Sequence, residues 1–153
     1  MKKTRFLPFI LLLLSTGMLS AQSAETGFLN RSISLDGVEY RYQVYVPYNY
    51  TAAEEWPVTL FLHGAGERGS DGLKQTQVGL GRAIRLNPER WQTLAVFPQV
   101  PVGESWQGVA GDVAMAALDV TIAEFSADAD RLYLTGLSLG GNGTWYLGYH
   151  HTE

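Results

Sequence analysis

The chain contains no cysteine, which excludes a disulfide framework and a lipid-bearing cysteine at a processing site. Histidine is scarce too, with three in 153 residues. Without cysteine partners or an H-E-x-x-H spacing, these histidines outline no metal site. Basic residues are outnumbered, eleven Lys and Arg against fifteen Asp and Glu, so nucleic acid and anionic membrane surfaces are poor partners. A bilayer-spanning run is also missing: Phe6 to Leu14 is broken at Pro8 and falls well short of the ~20 apolar residues needed. No internal repeat, low-complexity tract or linker divides the chain.

What is present begins with an address. Lys2, Lys3 and Arg5 stand before the apolar run, and small and polar residues follow it to Ala21-Gln22-Ser23-Ala24. This is the layout of a secretory signal peptide over residues 1–23, cleaved near Ser23 or Ala24. The expectation is a secreted or periplasmic protein with no membrane attachment after cleavage. Its three basic residues leave with it, so the mature chain keeps eight against fifteen acids, a net charge of about −7. Residues 24–153 amount to one domain or less.

The hydrophobic pattern then alternates between strand and helix. From Val38 the series Val38, Tyr40, Tyr42, Val44, Val46 has a period of two, and Asp36-Gly37 is a tight-turn signal after Arg31 to Leu35, so Phe28 to Val46 reads as a half-exposed hairpin at a sheet edge. Pro57 to Leu62 and Leu94 to Pro98 are continuous apolar runs, the form of strands buried on both faces. A short helix fits Leu80 to Leu86. A longer one fits Val109 to Phe125, with Val109, Val113, Ala116, Val120 and Ala123 on the inward face and Met115, Leu118, Ile122 and Phe125 widening it. Asp128-Ala129-Asp130 reads as a break before the next strand. The layout is α/β with a mainly parallel sheet.

That next strand runs into the chemistry. Leu132-Tyr133-Leu134-Thr135 leads into Gly136-Leu137-Ser138-Leu139-Gly140, a G-x-S-x-G spacing between a strand and a helix, which is the form of a nucleophile elbow. Gly136 and Gly140 are expected there because side chains two residues either side of a sharply bent serine would collide with the packing around it.

A second glycine cluster follows the strand Pro57 to Leu62. Gly64-Ala65-Gly66-Glu67-Arg68-Gly69 is a literal G-x-G-x-x-G, but a dinucleotide site needs a helix to open in that turn and an acid about 20 residues on at the end of the next strand. Ser70-Asp71-Gly72 extends the loop instead, and Glu89 precedes that strand. The stronger reading is an oxyanion hole: acyl transfer places negative charge on a carbonyl oxygen, and two backbone N–H groups stabilise it. Leu139, directly after the serine, supplies one, and Ala65, or failing it Gly66, the other. His63 is then structural and positions the loop.

LFLHGAGERG, FPQVPVGESW and DADRLYLTGLSLGGNGTW together resemble the α/β-hydrolase superfamily, within it secreted esterases similar to polyhydroxybutyrate depolymerases, feruloyl esterases and prolyl-oligopeptidase-like peptidases. The resemblance covers most of Val38 to Tyr149. It implies an α/β-hydrolase fold, a mostly parallel sheet with an N-terminal antiparallel hairpin. It also implies Ser138 as nucleophile, Leu139 and Ala65 as oxyanion donors, and Trp106 as a wall of the acyl pocket, the alternative for Trp106 being an ordinary core aromatic. The implied reaction is cofactor-free hydrolysis of a small-molecule or polymeric carboxylic ester. A serine peptidase uses the same parts on an amide, and a non-catalytic polymer- or carbohydrate-binding relative keeps the fold without the triad.

The departure from that pattern is at the C-terminal end. The superfamily orders its triad Ser, then Asp or Glu, then His. After Ser138 come His150, His151 and Glu153. A helix would carry His150 roughly 15 Å from the elbow, far beyond the ~3 Å reach of a general base. Asp112, Asp119, Asp128 and Asp130 precede the serine. Residues 24–153 are therefore expected to be the N-terminal half of a hydrolase domain, truncated after the nucleophile-elbow helix and inactive alone. The strand Arg131 to Thr135, central in the superfamily, would be left at the sheet edge.

Overall fold

The computed structural model describes residues 25–151; the proposed signal peptide and Glu153 lie outside them. Strands β1 (Gly27–Leu35) and β2 (Val38–Val46) form an antiparallel hairpin in unbroken register from Leu35 opposite Val38 to Gly27 opposite Val46. Its two-residue turn has positive φ at both Asp36 (51°) and Gly37 (79°), the turn whose twist matches paired strands. Strands β3 (Trp56–Leu62), β4 (Leu94–Pro98) and β5 (Ala127–Gly136) run parallel to one another. The mixed sheet has the order β1-β2-β4-β3-β5, with β2 antiparallel to β4.

Helix α1 (Gly79–Leu86) covers one face, and α2 (Val109–Glu124) and α3 (Leu139–His150) cover the other. Leu80 and Ile84 of α1 pack there on Tyr45, Phe61, Ala95 and Phe97 of the sheet. The larger core joins Val44, Val58, Leu60, Leu62, Leu94 and Val96 of the sheet to Ala110, Ala114, Ala117 and Leu147 of the helices. Burial on both faces is why β3 and β4 read as apolar runs.

Three local expectations need correction. The hairpin does lie at the sheet edge, but only β1 is outermost and half exposed: β2 lies between β1 and β4, and every residue from Tyr42 to Val46 is buried. Gln43 tolerates this because its amide donates to Asn30 Oδ1 (2.8 Å) and accepts from Thr76 Oγ1 (2.8 Å). In α2 the buried face is Ala110, Gly111, Val113, Ala114, Ala117, Leu118 and Thr121, while Val109, Val120 and Ala123 are exposed. Small residues let this helix approach closely; a Gly111 side chain would press on the Trp106 carbonyl. Finally, Asp128-Ala129-Asp130 is not a break. These residues belong to β5 and bulge between the pairings Trp56–Ala127 and Val58–Leu132. Asp128 accepts from the Asp130 N–H (2.9 Å) and from Arg131, which also donates to the Glu55 carbonyl (2.8 Å), so the strand continues through the bulge.

Among the described residues β5 is a sheet edge. Leu132 is 43% and Tyr133 56% exposed, and beside them Trp145 and Tyr149 of α3 are 84% and 80% exposed.

Candidate active site

Strand β5 turns into α3 through Ser138, which has φ 53° and ψ −112°. A non-glycine residue pays of order 1–3 kcal/mol for such a backbone. The bend is held from both sides. Leu137 N–H still donates to the Leu62 carbonyl (3.0 Å), Gly140 N–H to the Leu137 carbonyl (2.8 Å), and Asn142 N–H to the Ser138 carbonyl (3.2 Å). The flanking glycines are steric necessities: a side chain at Gly140 would land on the Leu62 carbonyl, and one at Gly136 on the Gly140 carbonyl, 2.9 Å from Thr144 Oγ1. The result is an exposed serine at the C-terminal end of the parallel strands, where open α/β sheets place their ligands.

The loop after β3 is pressed against this serine. A Cβ built on Gly64 would sit 3.6 Å from Ser138 Cβ and 3.4 Å from the Leu137 carbonyl. Ala65 opens a single 3-10 turn, Ala65–Glu67, preceded by extended backbone at Gly64 (φ −79°, ψ 178°). Ala65 and Gly66 are exposed. Leu139 is the first residue of α3, and the amide of a first helical residue has no intrahelical acceptor.

His63 is buried beneath the loop. Val100 N–H donates to its Nε2 at 3.0 Å, so the ring's proton is on Nδ1, which donates to the Gly64 carbonyl at 2.6 Å. Burial holds the imidazole below its ordinary pKa, against the smaller raising effect of the Gly64 bond. It is neutral, with both nitrogens engaged, and it supports the loop. His150 bonds the Tyr146 carbonyl (2.8 Å) in the last turn of α3, about 16 Å along the axis from Leu139. His151 follows it as the helix cap. Among the described residues no imidazole is placed to take a proton from Ser138.

Trp106 is not a pocket wall. It is 1% exposed, its indole N–H donates to the His63 carbonyl (3.0 Å), and a side chain on Gly143 of α3 would fall 2.6 Å from its Cγ. The indole fills the space between the loop, α2 and α3, a position its apolar bulk and single donor suit.

Gln99 was not singled out by the sequence. It is buried, and its amide N–H groups reach the Glu67 carbonyl (3.0 Å) and Asp71 Oδ1 (3.1 Å) while its Oε1 accepts from Gly72 N–H (2.7 Å). Asp71 in turn accepts from Leu73 and Lys74 N–H (2.8 and 3.1 Å), bonds that hold its carboxyl below the usual range. The available signal was a glutamine directly after an unbroken apolar strand, where a polar side chain becomes buried and must find partners.

No protein-family model and no curated protein matches the chain. Solved structures do. A thermostable esterase is 28% identical with a TM-score of 0.63, over 82% of this chain and 38% of that one. A thermostable esterase from Pseudomonas putida is 27% identical (TM-score 0.58, 82% and 38%). An esterase structure from Rhizomucor miehei shares the fold at 17% identity (TM-score 0.63, 84% and 40%). The chain thus spans less than half the length of these proteins. It has the α/β-hydrolase fold and resembles the esterases that share it.

Proposed function

We propose that this chain is the nucleophile-bearing part of a serine hydrolase acting on carboxylic esters. The observation that carries the reading is the positive-φ Ser138 at the strand-to-helix bend with the Gly64 loop packed against it. In the proposed reaction Ser138 Oγ attacks the acyl carbon and its proton passes to a histidine from outside residues 25–151. The N–H groups of Leu139 and Ala65 hold the oxyanion. Collapse of the tetrahedral intermediate expels the alcohol, which takes that proton. Water, deprotonated by the same base, then cleaves the acyl-serine ester and regenerates the hydroxyl. Residues 1–23 act as an export signal, so the substrate, a small molecule or a polymer, is met outside the cytoplasm. Residues 24–153 form the N-terminal half of the catalytic domain.

The test is to treat the full-length protein with a fluorophosphonate probe. Covalent labelling at Ser138, lost in Ser138→Ala, is the expected result. Labelling that survives this substitution unchanged removes Ser138 as nucleophile.

A further inference from the structure

The loop that carries Ala65 also carries Glu67, which the reaction above does not use. Gly64 brings the two sites together: the point where its side chain would begin is 3.1 Å from Glu67 Oε2 and 3.6 Å from Ser138 Cβ. The carboxylate and the root of the nucleophile are therefore within about 7 Å of each other, a range over which one charge is felt by another. The placement is held by the main chain on both sides. Glu67 N–H donates to the Gly64 carbonyl (3.3 Å), its own carbonyl accepts from buried Gln99 (3.0 Å), and Gly69 N–H anchors the next turn to the Val100 carbonyl (2.9 Å). Among the described residues no Lys, Arg or His nitrogen lies within 4.0 Å of this carboxylate. Arg68, next in the chain, makes no ion pair with it, and Arg68 Nε is buried without a hydrogen-bond partner.

We propose that Glu67 is a specificity-determining residue of the ester-hydrolase site: its carboxylate disfavours acyl groups carrying negative charge near the scissile carbonyl and favours neutral or cationic ones. The inference rests on Ser138 being the nucleophile. Repulsion between Glu67 and the oxyanion is common to every ester and cancels when esters are compared. What differs is the charge in the acyl group, which the short, fixed loop cannot move away from.

The test compares kcat/KM of the full-length protein for three p-nitrophenyl esters of similar acyl length: butyrate, hemisuccinate and 4-(trimethylammonio)butyrate, each divided by its alkaline hydrolysis rate. A single charge at this range, in an effective dielectric between that of a protein surface and water, gives about 3- to 50-fold. The anionic ester is expected to be about tenfold slower than the neutral one, and the cationic ester no slower. Glu67→Gln should bring the anionic-to-neutral ratio to within about twofold of unity, and Glu67→Lys should invert it. Ratios are read within each variant, so a change in overall activity does not enter. In the unsubstituted protein, raising ionic strength from about 0.01 to 0.5 M should move the ratio toward unity, a measurement that needs no variant. Neutral and anionic esters turned over alike, or a ratio insensitive to both Glu67→Gln and salt, overturns the charge filter alone. Failure to hydrolyse any of the three in a Ser138-dependent way overturns the ester-hydrolase reading and the filter with it.

Discussion

The indole N–H of Trp106 donates to the main-chain carbonyl of His63 at 3.0 Å, and the two rings stand edge to face with centroids 4.9 Å apart. One core aromatic thereby holds the residue from which the Gly64 loop departs. Trp106→Phe keeps most of the apolar bulk and leaves that buried carbonyl without its donor. The expected loss is about 1–3 kcal/mol of stability, read as a lower urea midpoint with an unchanged slope. A midpoint equal to the parent's would mean that the bond adds nothing to the support of the loop.

His63 makes stability depend on pH in a defined window. Its folded pKa is lowered by burial from the ordinary 6.5, so its contribution is fully present above that value and is lost as pH falls through and below it, where the unfolded chain binds the proton more readily. The urea midpoint should decline from pH 7.5 to pH 5, and the decline should be shallower in His63→Gln. Asp71, whose folded pKa is also lowered, acts at lower pH, near and below the ordinary carboxylate value. Equal slopes for parent and His63→Gln between pH 7.5 and 5 would rule out the assignment.

The strain at Ser138 predicts an inverse relation between stability and chemistry. Glycine adopts positive φ without penalty and alanine does not, so Ser138→Gly should be about 1 kcal/mol more stable than Ser138→Ala, while both lose activity. Thermal or chemical unfolding of the two variants side by side decides it. If the alanine variant is as stable as the glycine one, the bend stores no strain.

Ala65→Pro isolates a backbone N–H. Proline suits the first position of a helical turn, and the extended backbone of Gly64 (ψ 178°) is the conformation a residue before proline prefers. The variant should fold normally and lose about 10²-fold or more in turnover, as for a missing oxyanion donor. Activity within a few-fold of the parent would move the hole to other donors, Gly66 first among them.

Residues 24–153 produced alone should neither turn over ester nor behave as a monomer. No imidazole among the described residues reaches Ser138, and β5 presents an unpaired edge bordered by Leu132, Tyr133, Trp145 and Tyr149, the kind of surface that recruits further chains. Light scattering and a p-nitrophenyl ester assay beside Ser138→Ala are the measurements. Monomers with Ser138-dependent multiple turnover would show that a base already present arrives by another route.

Where the sequence was legible, the determinant was local. Leu94 to Pro98 matches β4 at both ends and Pro57 to Leu62 misses one residue of β3, because an unbroken apolar run of that length has few other forms. The inward face of α2 is less legible, for the opposite reason. Val109 and Val120 are apolar yet exposed, while small Ala110, Gly111, Ala114 and Ala117 are turned inward beside Val113 and Leu118, since close approach to the sheet and Trp106 favours small size at those positions.

The sequence by itself determined the features that backbone sterics dictate: the Asp36-Gly37 turn, the strand-to-helix bend at Ser138, and the glycines that such a bend requires on either side. The tertiary structure decided everything that depends on what covers a face. It made β2 an interior strand, took Trp106 into the core, turned Gln99 into the hub of the loop, and set Glu67 near Ser138. Local geometry is written in a residue and its neighbours. Burial and hydrogen-bond satisfaction are settled by groups far apart in the chain, and no spacing along the sequence records which of them will meet.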